Sequence, residues 1–403
     1  MIVELASGKV RGEHGAFRGI PFAQQQRFKA PTPVAAWAGV RDAVAAGPAA
    51  IQPPSRLDPA LGPMTLPQSE DCLSLNVFTP STTGAKPVLL WFHGGGFTAG
   101  SGGMGWYDGT RLAREADAVV VTANYRLGVF GFLALEGVAP ANLGVADQLA
   151  ALEWVRDNIT AFGGDPARVT LGGQSAGAQT SLALWSSPRA KGLIHQVALQ
   201  SAPVGLAPQT PAEAADWAGR FVDALGSLDD GGSPDLATMP AGRLLDGLAA
   251  FAERTRGQNA NPFQLVADHD FVPDDLIAAA GPGRALVSWT RDEVRVYSPG
   301  ARQDQTDLGT AAVFSGKLPD LVDRFGPDAT LLRFDWAAPG NPYGACHCID
   351  IPFLFGTHDR FTGAGMLEGA PADVAELADL RRVWTAFLHG ERPVVDSPFL
   401  TRY

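Results

Sequence analysis

The sequence predicts an α/β protein with a mostly parallel central sheet and helices on both faces. Short unbroken apolar runs, such as 87–92 and 118–124, mark strands buried on both sides. Segments with apolar residues at helical spacing alternate with them along much of the chain. One strand also runs into a glycine-rich turn that opens a helix, as sheets of this class do at their carboxyl edge.

Taken in order, residues 1–30 read as short strands around Val3 and Val10, followed by Gly19-Ile20-Pro21-Phe22-Ala23. Residues 31–70 are rich in Pro, Ala and Gly and read as loop. A strand is expected over 73–79, a buried one over 87–92, a helix over 107–115 and a buried strand over 118–124. Leu149, Leu152, Val155 and Ile159 place a helix over 146–159. A strand ending at 168–171, a helix over 178–185 and a strand over 195–200 follow.

From about Pro203 the texture becomes helical. Thr210-Pro211-Ala212-Glu213 is a capping box with proline at the first helical position, so a helix should run to about Leu225. A loop over 227–234 and a helix over 243–254 complete an excursion that ends near Asn261-Pro262. It reads as a cap, about 204–262, over a site within one domain spanning 1–403. Strands over 285–289 and 330–336 return, and an amphipathic helix over 374–389 closes the chain.

Composition narrows the function. A hydrophobic content of 46% supports a sizeable core, and the net charge of −11 is spread along the chain. That balance argues against nucleic acid or an anionic membrane as the main partner. The N-terminus carries an early acid and no long apolar core, so it does not read as a signal peptide. Nowhere do about 18 apolar residues run unbroken, so no membrane span is expected. Cys72, Cys346 and Cys348 are too few for a disulfide framework, and a reducing cytoplasm fits them best.

The chemistry centres on Gly173-Gln174-Ser175-Ala176-Gly177, which fits G-x-S-x-G between a strand and a helix. There the motif becomes a nucleophile elbow, a sharp turn that lifts the serine hydroxyl to the positive end of a helix. The flanking glycines avoid collisions with neighbouring strands or the helix. Strand 87–92 ends in His93-Gly94-Gly95-Gly96-Phe97, whose glycines let backbone N–H groups approach a developing negative charge. With the N–H of Ala176 they would form an oxyanion hole, each donor contributing about 2.7–4 kcal/mol in the transition state.

An activated serine also needs a base and an acid to orient it. His195, His269, His347, His358 and His389 all follow the serine. His347 comes after strand 330–336 and a Pro/Gly loop, where the sheet's carboxyl edge should lie. For the acid, Asp292 and Glu293 both leave the carboxyl end of strand 285–289, and the residues alone do not choose between them.

With these pieces assembled, the chain resembles the type-B carboxylesterases of the α/β-hydrolase superfamily, the group that contains the cholinesterases. The resemblance runs from Gly19 to about Pro393. It is carried by Gly19-Ile20-Pro21-Phe22-Ala23, Glu70-Asp71-Cys72-Leu73, Asn124-Tyr125-Arg126 and Asn142-Leu143-Gly144-Val145-Ala146-Asp147-Gln148. Phe162-Gly163-Gly164-Asp165-Pro166, Gly173 to Ala178, Asp292-Glu293 and Gly344-Ala345-Cys346-His347 complete it.

The resemblance implies an α/β-hydrolase fold and a serine carboxylesterase acting on a small-molecule ester without cofactor. It implies Ser175 as nucleophile, Glu293 as acid, His347 as base, and Gly95, Gly96 and Ala176 as oxyanion donors. It places Gln174 and Ser201 beside the triad and Arg126 with Asp147 in an ion pair beneath the elbow. Gln174 stands where many relatives carry glutamate, so attraction for cationic groups should be weak.

Two departures set further expectations. Val294 follows Glu293 where relatives have glycine, so a backbone needing positive φ would be strained. His347 follows Glu293 by only 54 residues, a shortening expected to leave a more open site. Cys72 matches a cysteine that is disulfide-bonded in secreted relatives, but Ile51 stands at the partner position, so a buried free thiol is expected. Cys346-His347-Cys348 has no second ligand cluster, and no metal is expected. Phe97, Phe130, Trp185 and Trp289 are candidate linings of an apolar substrate pocket. The same machinery would also serve an amide, carbamate or lactone bond, and the family further offers a non-catalytic binding role, against which the intact Ser175, Glu293 and His347 argue.

Overall fold

The computed structural model describes residues 1–228, 235–258 and 261–403. The expected loop over 227–234 therefore lies largely outside the described residues. A nine-stranded sheet runs through the molecule. Its strands are β1 (Ala16–Pro21), β2 (Ser74–Phe78), β3 (Lys86–Phe92), β4 (Val119–Ala123), β5 (Gly164–Gln174), β6 (Gln196–Gln200), β7 (Ala285–Thr290), β8 (Ala329–Phe334) and β9 (Leu400–Arg402). They lie in the order β1-β2-β4-β3-β5-β6-β7-β8-β9. From β4 to β8 every neighbouring pair is parallel, while β1, β2 and β9 join antiparallel. A separate small sheet of Ile2–Leu5, Gly8–Arg11 and Val40–Asp42 holds the N-terminus.

The apolar runs of β3 and β4 are continuous because both faces are covered. Val88, Leu90 and Phe92 belong to one core cluster, and Leu89 and Trp91 to the other. Successive strand side chains point to opposite faces, so a two-sided core leaves no polar position in the alternation. Each fully buried side chain of this kind contributes about 1.5–3 kcal/mol. One face is covered by α2 (Leu143–Asn158) and α3 (Ala176–Ser186). The other is covered by α1 (Thr110–Glu115) and α8 (Asp379–Leu388).

The helical excursion after β6 carries α4 (Pro211–Gly226) and α5 (Ala241–Arg254). The capping box forms: Glu213 N donates to Thr210 Oγ1 at 3.2 Å, and Thr210 N donates to Glu213 Oε2 at 2.8 Å. Edge-on contacts of Phe221 with Phe251 and with Phe263 tie the pair together. The segment between β7 and β8 carries α6 (Gln303–Thr310), a π-helical turn (Ala311–Ser315) and α7 (Leu318–Phe325).

Boundaries differ where local signals are weak. The closing helix begins at Asp379 rather than 374, because a 3-10 turn over Ala372–Glu376 precedes it. The helix expected from 107 begins at Thr110, after a 3-10 turn over Gly105–Tyr107. Among the described residues, no helix is long and apolar enough to cross a membrane.

Candidate active site

Ser175 stands between β5 and α3 with φ 57° and ψ −123°, a conformation an L-residue adopts only under constraint. Two glycines make it feasible. A Cβ on Gly173 would come within 2.5 Å of the Gly177 carbonyl carbon, and one on Gly177 within 2.2 Å of Phe92 O. The turn is pinned from the next strand, where Gln200 O accepts from Ser175 N at 2.9 Å. Ala176 is the first residue of α3, so its N–H has no partner within the helix.

The glycine loop leaves β3 at positive φ, 117° at Gly95 and 60° at Gly96. A Cβ on Gly95 would stand 1.8 Å from Ala99 O, so only glycine fits there. Among the described residues, the N–H groups of Gly95 and Gly96 donate to no loop or turn carbonyl. His93 is buried, stacks on Tyr125 with ring centroids 4.5 Å apart, and pairs its Nδ1 with Gly94 O at 2.7 Å. Burial lowers its pKa to about 4, so a neutral ring supports the loop.

Both Glu293 and His347 are fully buried, and Glu293 Oε2 lies 2.5 Å from His347 Nδ1. Thr290 N donates to Glu293 Oε1 at 2.8 Å, which fixes the carboxylate from the end of β7. Burial opposes a charge on His347, but Cys348 and Glu293 beside it favour one, and its pKa is raised well above 6.5. The other ring nitrogen, Nε2, lies 2.9 Å from Gln174 Nε2, which also lies 3.2 Å from Cys348 Sγ.

Asp292, the other acid candidate, points elsewhere. Its N–H donates to Ala345 O and its Oδ2 accepts from Ala345 N, both at 2.9 Å. With His347 N donating to Glu293 O at 3.2 Å, three hydrogen bonds lash the two loops together. Burial would raise the Asp292 pKa, but bonds from Arg291, Gln303 and the Ala345 amide hold it below the usual carboxylate range.

Val294 is not strained. The chain turns at Glu293–Val296 into a 3-10 helix, so Val294 has a negative φ and needs no glycine. The remaining histidines are placed elsewhere. His195 Nδ1 accepts from Val169 N, His389 Nε2 meets Ala116 O, His269 lies near Asp274, and His358 packs edge-on against Phe353.

A cleft of about 280 Å³ opens in front of Ser175. Gly95, Gly96, Ala176, Val294, Val313 and Phe314 are among its walls. Phe314, on the π-helical turn, also packs its ring 4.8 Å from that of His347. A chamber of about 250 Å³ adjoins it behind Gly94 and Gly95, with Gln174 and Cys348 among its walls. A larger surface hollow of about 430 Å³ lies between Ala6 and Asn158, away from Ser175. Chemistry rather than size therefore locates the site.

Of the four candidate lining aromatics, only Phe97 borders the cleft. Phe130 faces a small space beside Cys72, Trp185 packs on Phe325, and Trp289 packs on Tyr403. Sequence reasoning missed Val313, Phe314, Leu206 and Tyr297, whose sequence surroundings carry no motif. Ser201 Oγ is buried without a partner among the described residues. The Arg126–Asp147 pair is buried and two-pronged, with Nε to Oδ2 at 2.8 Å and Nη2 to Oδ1 at 2.6 Å. Cys72, Cys346 and Cys348 are free and buried. Among the described residues, no group of three His, Cys, Asp or Glu side chains gathers to hold a metal.

A sheet of this order, with a serine elbow at the carboxyl edge of its central strand, defines an α/β-hydrolase. Comparison with known proteins narrows the class to carboxylic ester hydrolases. The chain belongs to the carboxylesterase family, whose model matches residues 1–311. It is 38% identical to a probable N-octanoylanthranilate hydrolase of Rhodococcus erythropolis, over 96% of this chain and 91% of that one. It is 34% identical to the phenmedipham hydrolase of Pseudarthrobacter oxydans, over 94% and 87%. A solved PNB esterase superposes with a TM-score of 0.86 at 33% identity, over 100% of this chain and 93% of that one.

Proposed function

We propose that the protein is a serine carboxylesterase using Ser175, His347 and Glu293 through an acyl-enzyme. Ser175 Oγ attacks the ester carbonyl while His347 Nε2 takes its proton and Glu293 steadies the imidazolium. The oxyanion lies among the N–H groups of Gly95, Gly96 and Ala176. His347 then protonates the leaving alcohol, and water, activated by the same base, releases the acid. The observation that carries this reading is the buried 2.5 Å contact of Glu293 with His347, whose other nitrogen reaches the residue preceding Ser175.

In this reading the whole chain is one domain, and the described residues of the excursion over about 204–262 cap the cleft. Three free buried thiols favour a cytoplasmic setting. A second reading keeps the machinery and changes the bond to an amide or carbamate. It is favoured by the similarity to a hydrolase named for an N-acyl substrate.

The test is hydrolysis of p-nitrophenyl esters from acetate to octanoate by the wild type and by Ser175→Ala, Glu293→Ala and His347→Ala, with organophosphonate tagging in parallel. Loss of activity in all three folded variants, with the tag on Ser175, is expected. Retained activity in His347→Ala with loss in His358→Ala would overturn the assignment of the base. Matched ester and amide substrates separate the two readings.

A further inference from the structure

The cleft in front of Ser175 is nearly uncharged. Of the described residues that line it, Arg56 alone carries a charge. The chain as a whole has an excess of acid, and other arginines are paired, among them Arg126 with Asp147, Arg27 with Glu70 and Arg291 with Asp292. No carboxylate of the described residues pairs with Arg56. Its guanidinium lies 5.8 Å from the ring centroid of Tyr297, and its Nη2 is 3.5 Å from Asn261 Oδ1. Asn261 Oδ1 in turn stands 3.5 Å from where a Cβ on Gly96 would lie. The cation is therefore one side chain away from the oxyanion loop.

The adjoining chamber has the opposite character. Of the described residues that line it, Asp58 alone carries a charge. Arg56 and Asp58 sit on one segment, with Leu57 between them lining both spaces. A substrate bridging the two spaces would thus meet a cation on one side and a carboxylate on the other.

We propose that Arg56 selects substrates bearing a carboxylate, held in the Ser175 cleft a few bonds from the scissile carbonyl. This rests on the reading of Ser175 as nucleophile. A guanidinium matches a carboxylate in planar shape as well as in charge. The rest of the cleft offers apolar contact for the intervening chain, so the specificity is for an amphipathic acid ester. Because Arg56 is exposed, solvent limits the gain in specificity to about two- to fivefold. The carboxylate can belong to the acyl part or to the leaving group, and two substrate pairs separate these sources.

The experiment compares kcat/KM for mono-p-nitrophenyl adipate against p-nitrophenyl hexanoate, and for 3-carboxy-4-nitrophenyl hexanoate against the same neutral ester. Wild type, Arg56→Met, Arg56→Glu and Ser175→Ala are assayed, with Arg11→Met as a control for overall charge. In one pair, the anionic-to-neutral ratio should fall about two- to fivefold in Arg56→Met and further in Arg56→Glu. The wild-type ratio should also shrink as salt rises from about 10 to about 300 mM. Ratios in both pairs that do not move in either Arg56 variant, or that move equally in Arg11→Met, would overturn the proposal. If the neutral ester is cleaved equally by Ser175→Ala, or not by the wild type, the reading of the nucleophile fails and the proposal falls with it.

Discussion

Gln174 and His347 meet at the imidazole nitrogen that the proposed mechanism assigns to Ser175. The amide nitrogen of Gln174 lies 2.9 Å from His347 Nε2, while Ser175 Oγ makes no hydrogen bond to any described residue. A neutral carboxamide thus occupies the face of the imidazole where the proposed proton transfer takes place. Since His347 must be neutral to accept a proton, and its pKa is raised above 6.5, esterase activity should rise with pH through an acid limb lying above 6.5.

Replacing the neutral neighbour with an anion sharpens this prediction. Gln174→Glu adds a carboxylate beside Nε2 and favours the protonated ring, so the acid limb should move up by about one pH unit. Profiles of kcat/KM against pH for the two proteins check it. Coincident limbs would mean that Gln174 does not sense the charge of His347.

Asp292 predicts a positioning role separable from acid chemistry. Asp292→Ala removes the acceptor of Ala345 N and leaves Arg291 and Gln303 without their carboxylate. Stability should fall by about 1–3 kcal/mol. The folded enzyme should lose kcat by about tenfold or more as His347 shifts from its place. Asp292→Asn keeps an oxygen for Ala345 N and should recover part of kcat. Denaturant melts and steady-state kinetics measure both, and full activity in Asp292→Ala would refute the role.

Phe314 predicts the size preference. Phe314→Ala removes a ring that borders the cleft and packs on His347. The optimum across the p-nitrophenyl ester series should shift to longer acyl chains, and kcat on acetate should fall several-fold, about a kcal/mol of barrier. An unchanged chain-length optimum would place the acyl group elsewhere.

Arg126→Met predicts a change in stability rather than in chemistry. Asp147 would be left buried and uncompensated, which costs about 3–5 kcal/mol. The melting temperature should drop sharply, while kcat of the enzyme that remains folded in the cold should stay within a few-fold of wild type.

Most of the sheet was legible because buried parallel strands announce themselves. The runs at 87–92 and 118–124 admit few other structures once both faces must be apolar. The elbow and the glycine loop were legible because their backbones exclude any other residue, as the 1.8 Å approach at Gly95 makes plain. Asp292 and Glu293 could not be told apart from spacing alone. Their roles depend on which way each side chain leaves the turn, and a 3-10 helix decides that. The same helix removed the strain expected at Val294. The cleft walls were illegible for another reason: Phe314 arrives on a short π-helical turn and Arg56 from an irregular segment, where neither periodicity nor a motif marks a residue.

The segment bearing Arg56, Leu57 and Asp58 borders both spaces beside Ser175 and holds only one short helix, Asp58–Leu61. It behaves as a partition wall rather than a lid. Exchanging this single stretch for that of a relative would redraw both compartments at once while leaving the sheet and elbow untouched. For an engineer it is a short region whose randomisation alters the walls of both spaces together.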